Sequence, residues 1–92
     1  MTTIRLTGQL ICKSANEVAI VMEFLPVHIE LTRAEPGCIS FEVEQGPNPL
    51  IWAVAETFQD AESFALHQAR VKASKWGRAT AGIERNYTVI GL

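Results

Sequence analysis

Few residues that build metal sites or disulfides occur in this sequence. Only two of its 92 residues are cysteines, and neither Cys12 nor Cys38 belongs to a CxxC pair or to the spacing of a zinc site. The chain also has no phosphate-binding loop, dinucleotide fingerprint or nucleophile elbow. We therefore expect two unpaired thiols in a reducing compartment, no metal ion and no cofactor.

Long apolar runs and clusters of one charge are also missing. Eight Lys and Arg residues against ten Asp and Glu residues give a net charge of −2, with no basic stripe, which argues against a nucleic-acid partner. No segment reaches the roughly 18 apolar residues of a membrane span. Thr7, Gly8 and Gln9 interrupt the first apolar run, which is atypical of a signal peptide. We expect a cytoplasmic protein that binds neither nucleic acid nor membrane.

Apolar side chains are what the sequence has in quantity: 48% of its residues are hydrophobic and 20% are charged. A chain of this length is expected to form one domain, residues 1–92, with a limited core. So many apolar side chains on so small a surface indicate that some of them lie in an interface with another chain.

Apolar periodicity divides the chain into four strands and two helices. The helices are predicted to begin at the capping residues Ser14 and Asp60, and a turn with two prolines, Gly46–Pro49, separates the second and third strands. The second helix is expected to continue after a break, with Gly77 and Gly82 as candidate stops. The predicted bounds are Thr3–Cys12, Ser14–Ala34, Cys38–Gln45, Leu50–Phe58, Asp60–Ala81 and Ile83–Ile90.

This βαββαβ order is typical of the ferredoxin-like fold, an α+β arrangement with a four-stranded antiparallel sheet. Two helices cover one face of the sheet, so the other face needs a cover of its own. The simplest cover is the same face of a second copy related by a two-fold axis, and we expect a homodimer through the open sheet face. The first two strands are not neighbours in this fold, which argues against a disulfide between Cys12 and Cys38.

Helix one carries two apolar stripes and a proline. Pro26 removes one backbone hydrogen bond, so we expect a kink or a split into two segments. Either the kink merges the stripes, or the second stripe meets a partner chain or another helix. The first stripe consists of Val18, Val21, Met22, Leu25 and Ile29, and the second, nearly opposite, of Ile20, Phe24, Val27 and Leu31.

The segment Thr32–Val43 has the most informative pattern. It closes helix one, turns on Pro-Gly and opens a strand in which Ile39, Phe41 and Val43 are predicted to share one face. The segment resembles the T-R-x-E-P-G-C-x-x-[FY]-x-[VL] signature of the antibiotic biosynthesis monooxygenase (ABM) family. From its residues we expect a turn and a packed sheet face here, and no catalytic group.

Two further blocks follow in the order of that family. Glu56–Asp60 is similar to the family's E-x-[WF]-x-D, and Ala61–His67 to x-[AS]-[LF]-x-x-H. The resemblance ends there, because many members continue H-x-x-S-P-H-F and this chain lacks the second histidine and the proline. It implies ferredoxin-like subunits that pair into a dimeric α/β barrel, each with a pocket between sheet and helices. Haem-degrading relatives use an asparagine near the position of Gly8, so haem degradation is disfavoured.

His67 and Glu56 are the candidates for acid–base chemistry. His67 falls on the apolar face of helix two, and Glu56 is a lone carboxylate in an apolar strand, so each needs a polar partner. A Glu56–His67 pair satisfies both needs and provides an oriented base near neutral pH. The alternatives are a core histidine bonded to a backbone carbonyl, a structural pair, or a Glu56 that faces the dimer and meets Arg5 or Arg85.

Aromatic side chains supply the candidate lining of a pocket for a flat substrate, although a plain core role is the alternative for most of them. Trp76 departs from core packing because polar residues and a glycine surround it, and Asn86 offers a donor for a substrate oxygen. We interpret His28 as a boundary histidine with satisfied hydrogen bonds. The predicted substrate-binding residues are Phe41, Trp52, Phe64, Trp76, Asn86 and Tyr87.

The resemblance implies an enzyme, a cofactor-independent monooxygenase of a small phenolic or quinol-like aromatic. Such family members deprotonate an electron-rich aromatic, whose anion then reacts with O2 without metal or flavin. His67 is then the base and Glu56 its orienter, and Asn86, Tyr87 or Trp76 donate hydrogen bonds to the anion. The alternatives are an isomerase or lyase that uses the same pocket, and a non-catalytic dimeric ligand-binding module, because the fold does not decide the function.

Overall fold

A computed structural model describes residues 2–92, so that Met1, at which the predicted domain begins, lies outside the described residues. The elements follow the predicted βαββαβ order, and the continuation of the second helix forms a short helix of its own. The elements are β1 (Ile4–Ile11), α1 (Ala15–Arg33), β2 (Cys38–Gln45), β3 (Ile51–Phe58), α2 (Ala61–Ala73), α3 (Lys75–Ala79) and β4 (Glu84–Ile90).

The strands of residues 2–92 form one antiparallel sheet in the order β2-β3-β1-β4. β3 and β1 are central, and β2 and β4 form the edges. The predicted ferredoxin-like α+β fold is confirmed. β3 separates β1 from β2, and Cys12 and Cys38 are both unpaired, as the strand order led us to expect.

The helices cover one face of this sheet, and the core lies between them. Leu6 and Leu10 of β1 and their β3 partners Glu56 and Trp52 are all buried on this face. Because side chains alternate across a strand, every second residue of the central strands lies under the helices. The buried apolar residues are Ile4, Leu6, Leu10, Cys12, Val21, Leu25, Phe41, Trp52, Val54, Phe58, Phe64, Trp76 and Ile83.

α1 continues unbroken through Pro26, so of the two expected outcomes, a kink or a split, the split into two segments does not occur. The helix begins with the predicted cap, in which the Ser14 hydroxyl accepts a hydrogen bond from the Glu17 amide at 3.3 Å. Proline removes only one backbone hydrogen bond, and the packing of the buried side of α1 stabilises the turns on both sides of it.

The buried line of α1 differs from the predicted first stripe. Val21 and Leu25 are buried as expected, and His28 and Thr32 continue the line at helical spacing. Met22, which was assigned to this stripe, is 59% exposed. The reason is geometric: the line i, i+4, i+7, i+11 that faces the sheet passes beside Met22 rather than through it.

The second stripe of α1 faces α3 across an outer groove of about 490 Å³. Phe24 lines this groove opposite Trp76 of α3, whereas Val27 and Leu31 are 60% and 47% exposed. A second helix therefore meets part of this stripe, which was one of the two readings. The outer groove is lined by Glu23, Phe24, Val27, His28, Leu31, Arg70, Ser74, Lys75 and Trp76.

β2 contains a bulge that changes the face of one residue. The register of β2 against β3 shifts between Cys38 and Ser40, so Ile39 has no partner of its own. Ile39 is 59% exposed and does not share the buried face of Phe41. The prediction for Ile39 is wrong because the bulge interrupts the alternation on which it rested.

Ser74 separates α2 from α3. Its hydroxyl donates a hydrogen bond to the Val71 carbonyl at 2.7 Å and accepts one from the Gly77 amide at 3.0 Å, so one side chain ends α2 and begins α3. Gly77 therefore lies inside α3, and the predicted stop there is wrong. A β-carbon at Gly77 would lie 2.0 Å from the Val71 carbonyl oxygen, which explains the glycine.

The opposite face of the sheet is uncovered by any element of residues 2–92. Thr7 and Ala55 lie near its centre, where they pair with each other across β1 and β3. Neither is fully buried, although both lie on central strands. Among residues 2–92, no helix has the length and apolar character needed to cross a membrane.

Replacement of Gly8 by alanine is expected to destabilise the fold. Gly8 has φ of +155°, and an added β-carbon would lie 2.1 Å from the Asn86 carbonyl oxygen on β4. We expect Gly8→Ala to lower the free energy of unfolding by about 2 kcal/mol or more, measured by urea denaturation.

Gly82→Ala is the matched control, because a β-carbon there would meet no atom within 4 Å. It should leave stability unchanged or slightly raised. Equal stabilities of the two variants would contradict the close packing of β4 on Gly8.

Candidate functional site

An inner cavity of about 160 Å³ lies between the helix-covered face of the sheet and the helices. An apolar cavity of about this volume accommodates one benzene-sized ring. Most of its wall is apolar, but several ionisable side chains reach it. The lining residues are Leu6, Leu10, His28, Phe41, Val43, Val54, Glu56, His67, Gln68, Val71, Trp76, Arg85 and Tyr87.

His67 of α2 is a buried ionisable group of this wall, with its side chain 2% exposed. Its Nδ1 lies 2.8 Å from Oε1 of Glu35. The other oxygen of Glu35 accepts a hydrogen bond from Nε of Arg70 at 2.6 Å, and Nη2 of Arg70 donates to the Thr32 hydroxyl at 2.8 Å. One carboxylate thus fixes both the imidazole and the guanidinium of α2.

Glu35 is placed by the turn that follows α1. The Glu35 amide donates to the Thr32 carbonyl and the Cys38 amide to the Glu35 carbonyl, both at 3.0 Å. We expected no catalytic group in the segment 32–43, and the structure brings the Glu35 carboxylate of this segment into contact with His67. The need of a buried histidine for a partner was a usable signal, but 32 residues separate Glu35 from His67 and nothing in the sequence selects this acid over the others.

Glu56 of β3 lies on the other side of the His67 ring. Its Oε1 is 3.6 Å from Nε2 of His67, slightly beyond hydrogen-bond distance, and this oxygen is buried without a hydrogen bond. The two side chains that the sequence analysis paired are therefore close in space, without a hydrogen bond between them. The carboxylate that orients the imidazole through Nδ1 is Glu35, however, and Glu56 faces the free nitrogen.

Burial decides the protonation states of Glu56 and His67. Burial, with a smaller contribution from the Glu35 charge, raises the pKa of Glu56 to about 7. Burial also lowers the pKa of His67, although the hydrogen bond and charge of Glu35 oppose that change. A neutral imidazole carries one proton, which Nδ1 donates to Glu35, so Nε2 keeps a free lone pair toward Glu56.

His28 of α1 is a second histidine in this wall. Its ring stacks on the Trp76 indole with centroids 4.6 Å apart and planes 6° apart, and it meets Phe41 edge-on at 5.3 Å. Burial, with the neighbouring positive charges, lowers the pKa of His28 to about 3, so the ring is neutral. Its Nδ1 is buried without a hydrogen bond, and the interpretation of His28 as a satisfied boundary histidine is wrong.

Tyr87 and Arg85 of β4 close the cavity opposite α2. Burial raises the pKa of Tyr87 to about 12, so its hydroxyl stays protonated and can donate a hydrogen bond. The Arg85 guanidinium donates to the carbonyl and the hydroxyl of Thr80, each at 2.7 Å. The cavity therefore contains one fixed positive charge and one phenol donor.

The sequence profile of the antibiotic biosynthesis monooxygenase family matches residues 13–79, more than half of the chain. This chain belongs to the antibiotic biosynthesis monooxygenase family. Among curated proteins, none matches the sequence.

Solved structures share the fold of this ABM protein at low sequence identity. A provisionally named antibiotic biosynthesis monooxygenase from Nitrosomonas europaea has a TM-score of 0.79 and 18% identity over 99% of this chain and 90% of its own. A conserved protein from Methanosarcina mazei has a TM-score of 0.74 and 24% identity over 97% and 91%. A conserved protein of unknown function from Bacteroides thetaiotaomicron, described as a possible oxidoreductase, has a TM-score of 0.74 and 18% identity over 99% of this chain and 98% of its own. At these identities the likeness shows the fold alone.

Five of the eight predicted site residues of the ABM protein line the inner cavity and three do not. Trp52 is buried near Cys12, away from the cavity wall, and Phe64 packs edge-on against Phe58 at 5.7 Å. Asn86 is exposed on the open face, because alternation along β4 turns it away from the face of Tyr87. The five that line the cavity are Phe41, Glu56, His67, Trp76 and Tyr87.

Across residues 2–92, no three His, Cys, Asp or Glu side chains come together in a group that could hold a metal ion. Such a group is the minimum that a protein metal site usually requires. The acid–base groups of this site form a row through one imidazole, Glu35–His67–Glu56, in which His67 and Glu56 line the inner cavity.

Glu56→Gln is expected to change stability in a pH-dependent way. A carboxyl whose pKa rises from 4.5 to about 7 on folding is destabilising when ionised, so its contribution is most favourable below about pH 4.5 and is lost as the pH rises through about 7. Glutamine does not titrate. The stability of Glu56→Gln relative to the wild type should therefore increase by up to about 3 kcal/mol between about pH 5 and about pH 8, measured by urea denaturation.

Glu30→Gln is the control, since Glu30 is an exposed carboxylate on α1, away from the open sheet face. Comparison with the wild type at each pH removes the titration of the histidines. The same stability difference at both pH values would show that Glu56 ionises in its ordinary range.

Proposed function

We propose that this ABM protein is a cofactor-independent monooxygenase that oxidises a small phenolic or quinol-like aromatic. The observation that carries the proposal is the row Glu35–His67–Glu56, of which His67 and Glu56 line a largely apolar cavity of one-ring size. A reaction of an aromatic anion with O2 needs a base, a second group that accepts a proton, and a flat cavity from which water is excluded. The inner cavity contains groups suited to each need.

His67 is the proposed base. Its Nδ1–H is held by Glu35, so the ring cannot turn and Nε2 presents its lone pair to the cavity. As the phenol transfers its proton to Nε2, the Glu35 carboxylate stabilises the imidazolium that forms. Glu35 takes the orienting role that the sequence analysis assigned to Glu56.

Glu56 is the proposed second proton site. With a pKa of about 7 it can accept and return a proton near neutral pH, and it lies 3.6 Å from Nε2 of His67. The pair can therefore hold two protons, one from the hydroxyl and one from the ring carbon that is oxidised.

The reaction balances with these two protons and no further reductant. The phenolate carbon forms a bond to O2, and the peroxide takes the proton held by His67. Loss of the ring C–H proton to Glu56 accompanies cleavage of the O–O bond, and the departing hydroxide takes that proton and leaves as water. One oxygen atom stays on the ring as a carbonyl, the other becomes water, and the substrate supplies all four electrons.

Donors around the cavity are suited to hold the anion. Tyr87 offers a protonated hydroxyl, Trp76 an indole N–H and Arg85 a fixed positive charge. In a cavity with few water-accessible polar groups these interactions are stronger than in water. Asn86, on the open face, has no part in this proposal.

The proposed assembly is a homodimer through the open sheet face, which would form the two-chain barrel implied by the family resemblance. The support is physical: the face carries the central residues Thr7 and Ala55, and no element of residues 2–92 covers it. A second copy of the same face provides a cover of matching shape.

His67→Asn should abolish oxygen consumption without unfolding the protein. Asparagine keeps a donor for Glu35 and has no equivalent of Nε2. With hydroquinones and anthrones as substrates, the wild type should consume one O2 per molecule, with one labelled oxygen retained from 18O2. The variant should be slower by at least about 100-fold.

Leu66→Gln is the matched control, because Leu66 precedes His67 on α2 and is 66% exposed. It should retain the wild-type rate. Absence of oxygen uptake with every phenol, together with turnover of a hydroxyketone, would refute the oxygenase and favour the isomerase. Tight binding that persists in His67→Asn, with no turnover by the wild type, would favour the non-catalytic module.

Ala55→Arg should yield a monomer in sedimentation-velocity measurements. Ala55 lies on β3 at the centre of the open face, where a long charged side chain prevents close approach of a second sheet. Glu42 on β2 is its partner and offers a carboxylate to the new charge, so the subunit should still fold. Ala65→Arg introduces the same side chain on the exposed surface of α2 and should remain dimeric. A dimer that survives Ala55→Arg would place the interface elsewhere.

A further inference from the structure

His28 is a buried polar side chain that the proposed mechanism leaves unused. It is 5% exposed, and it lines both the inner cavity and the outer groove. The faces of Trp76 and the edge-on contact with Phe41 hold its ring in one orientation. Such a rigid polar group between two cavities can present its free nitrogen to a ligand.

Neither ring nitrogen of His28 has a side-chain partner among residues 2–92. Nδ1 is buried without any hydrogen bond. Nε2 is not among the buried unpaired atoms and therefore keeps access to free space. A buried polar group without a partner is costly, so an unpaired histidine that lines a cavity is suited to a partner that binds there.

The burial of Nδ1 indicates which nitrogen carries the proton. A neutral imidazole has one N–H group and one lone pair. A buried N–H without an acceptor is rarer in proteins than a buried acceptor without a donor. The proton therefore belongs on Nε2, which makes His28 a neutral hydrogen-bond donor, whereas His67 presents a lone pair.

The two imidazoles lie close enough to contact one small molecule. Their ring centroids are 6.2 Å apart, and Phe41 lies beside both, 5.3 Å from His28 and 6.1 Å from His67. A benzene-sized ring in the inner cavity would thus have an acceptor nitrogen and a donor nitrogen along its wall.

We propose that His28 contacts the substrate by donating a hydrogen bond from Nε2 to a second oxygen on the ring whose first hydroxyl gives its proton to His67. By this contact, His28 selects the dihydroxybenzenes among the phenolic and quinol-like substrates over a simple phenol. This inference rests on the proposed function, because it assumes an aromatic ligand in the inner cavity, and it specifies the ligand.

The test is a comparison of affinities under argon, so that no oxidation takes place. Isothermal titration calorimetry measures catechol, resorcinol and hydroquinone, each against phenol. The wild type should bind at least one of the three about fivefold more tightly than phenol, as one added hydrogen bond allows. His28→Phe should remove that preference, because its ring fills the space and has no donor.

Two variants with amide side chains identify which ring nitrogen of His28 donates the hydrogen bond. The amide nitrogen of His28→Gln reaches the position of Nε2, so this variant should keep most of the preference for the dihydroxybenzene. The amide nitrogen of His28→Asn corresponds to Nδ1, so this variant should lose it. If His28→Gln lost the preference for the dihydroxybenzene and His28→Asn kept it, the assignment of Nε2 as the donor would be overturned.

Val27→Gln is the control for the place of binding, since Val27 lines the outer groove and not the inner cavity. It should leave the preference unchanged. A changed preference in Val27→Gln would place the ligand in the groove and refute the inference. His28→Phe should melt at or above the wild-type temperature, because it removes an unpaired buried nitrogen. A large fall in melting temperature with an unchanged preference would show a structural role instead.

Binding and turnover separate this inference from the proposed function. A dihydroxybenzene that binds through His28 but consumes no O2 refutes the oxygenase alone. A wild type that binds no dihydroxybenzene more tightly than phenol refutes the role of His28, even where oxygen uptake is seen with another aromatic. If His28 donates from Nε2, ligand addition should shift the Nε2 resonance of His28 in the 15N NMR spectrum, and Nδ1 should remain unprotonated.

Discussion

The Glu35 carboxylate is the contact on which the rest of the site depends. Its two oxygens bond Nδ1 of His67 and Nε of Arg70, and Arg70 in turn bonds the Thr32 hydroxyl. The carboxylate therefore ties the turn after α1 to the middle of α2 and sets the rotation of α2 above the sheet. Without it, the imidazole would be a buried polar group with no fixed direction, and the lone pair of Nε2 would not face the inner cavity.

Three ionisable side chains of the inner cavity are buried without a full set of hydrogen bonds: His28, Glu56 and His67. Glu56 gains a raised pKa, and His28 and His67 have lowered ones, so each group tends toward its neutral form. Because these donors and acceptors are neutral, proton exchange with a bound phenol requires little free energy for the burial of charge. The largely apolar wall that produces these shifts also keeps water from an anion formed there. The same surroundings therefore create both the protonation states and the solvent exclusion that the proposed chemistry needs.

Two local irregularities of the backbone serve this cavity. Ser74 ends α2 and begins α3, and the change of direction brings Trp76 onto the face of His28. The bulge at Ile39 turns that side chain to solvent and restores the alternation, so that Phe41 is buried at the cavity. Each is a deviation of one or two residues from regular structure, and each decides which aromatic ring reaches the site.

Local pattern was sufficient for the order of elements, because alternation, helical spacing, the Ser14 and Asp60 caps and the Pro-Gly turn all act between near neighbours in the chain. It also selected His67 and Glu56, since a polar residue in an apolar face is visible without a structure. The partner of His67 was not visible, because Glu35 reaches it only when α2 is packed against the turn after α1.

The same limit explains the other differences. The exposure of Asn86, the stacking of His28 and the bulge at Ile39 follow from how strands and helices meet, and a single pattern along the chain contains no information about that meeting. Residue types thus determined the fold and the kind of chemistry available, whereas three-dimensional packing alone decided which groups face each other and in which protonation state.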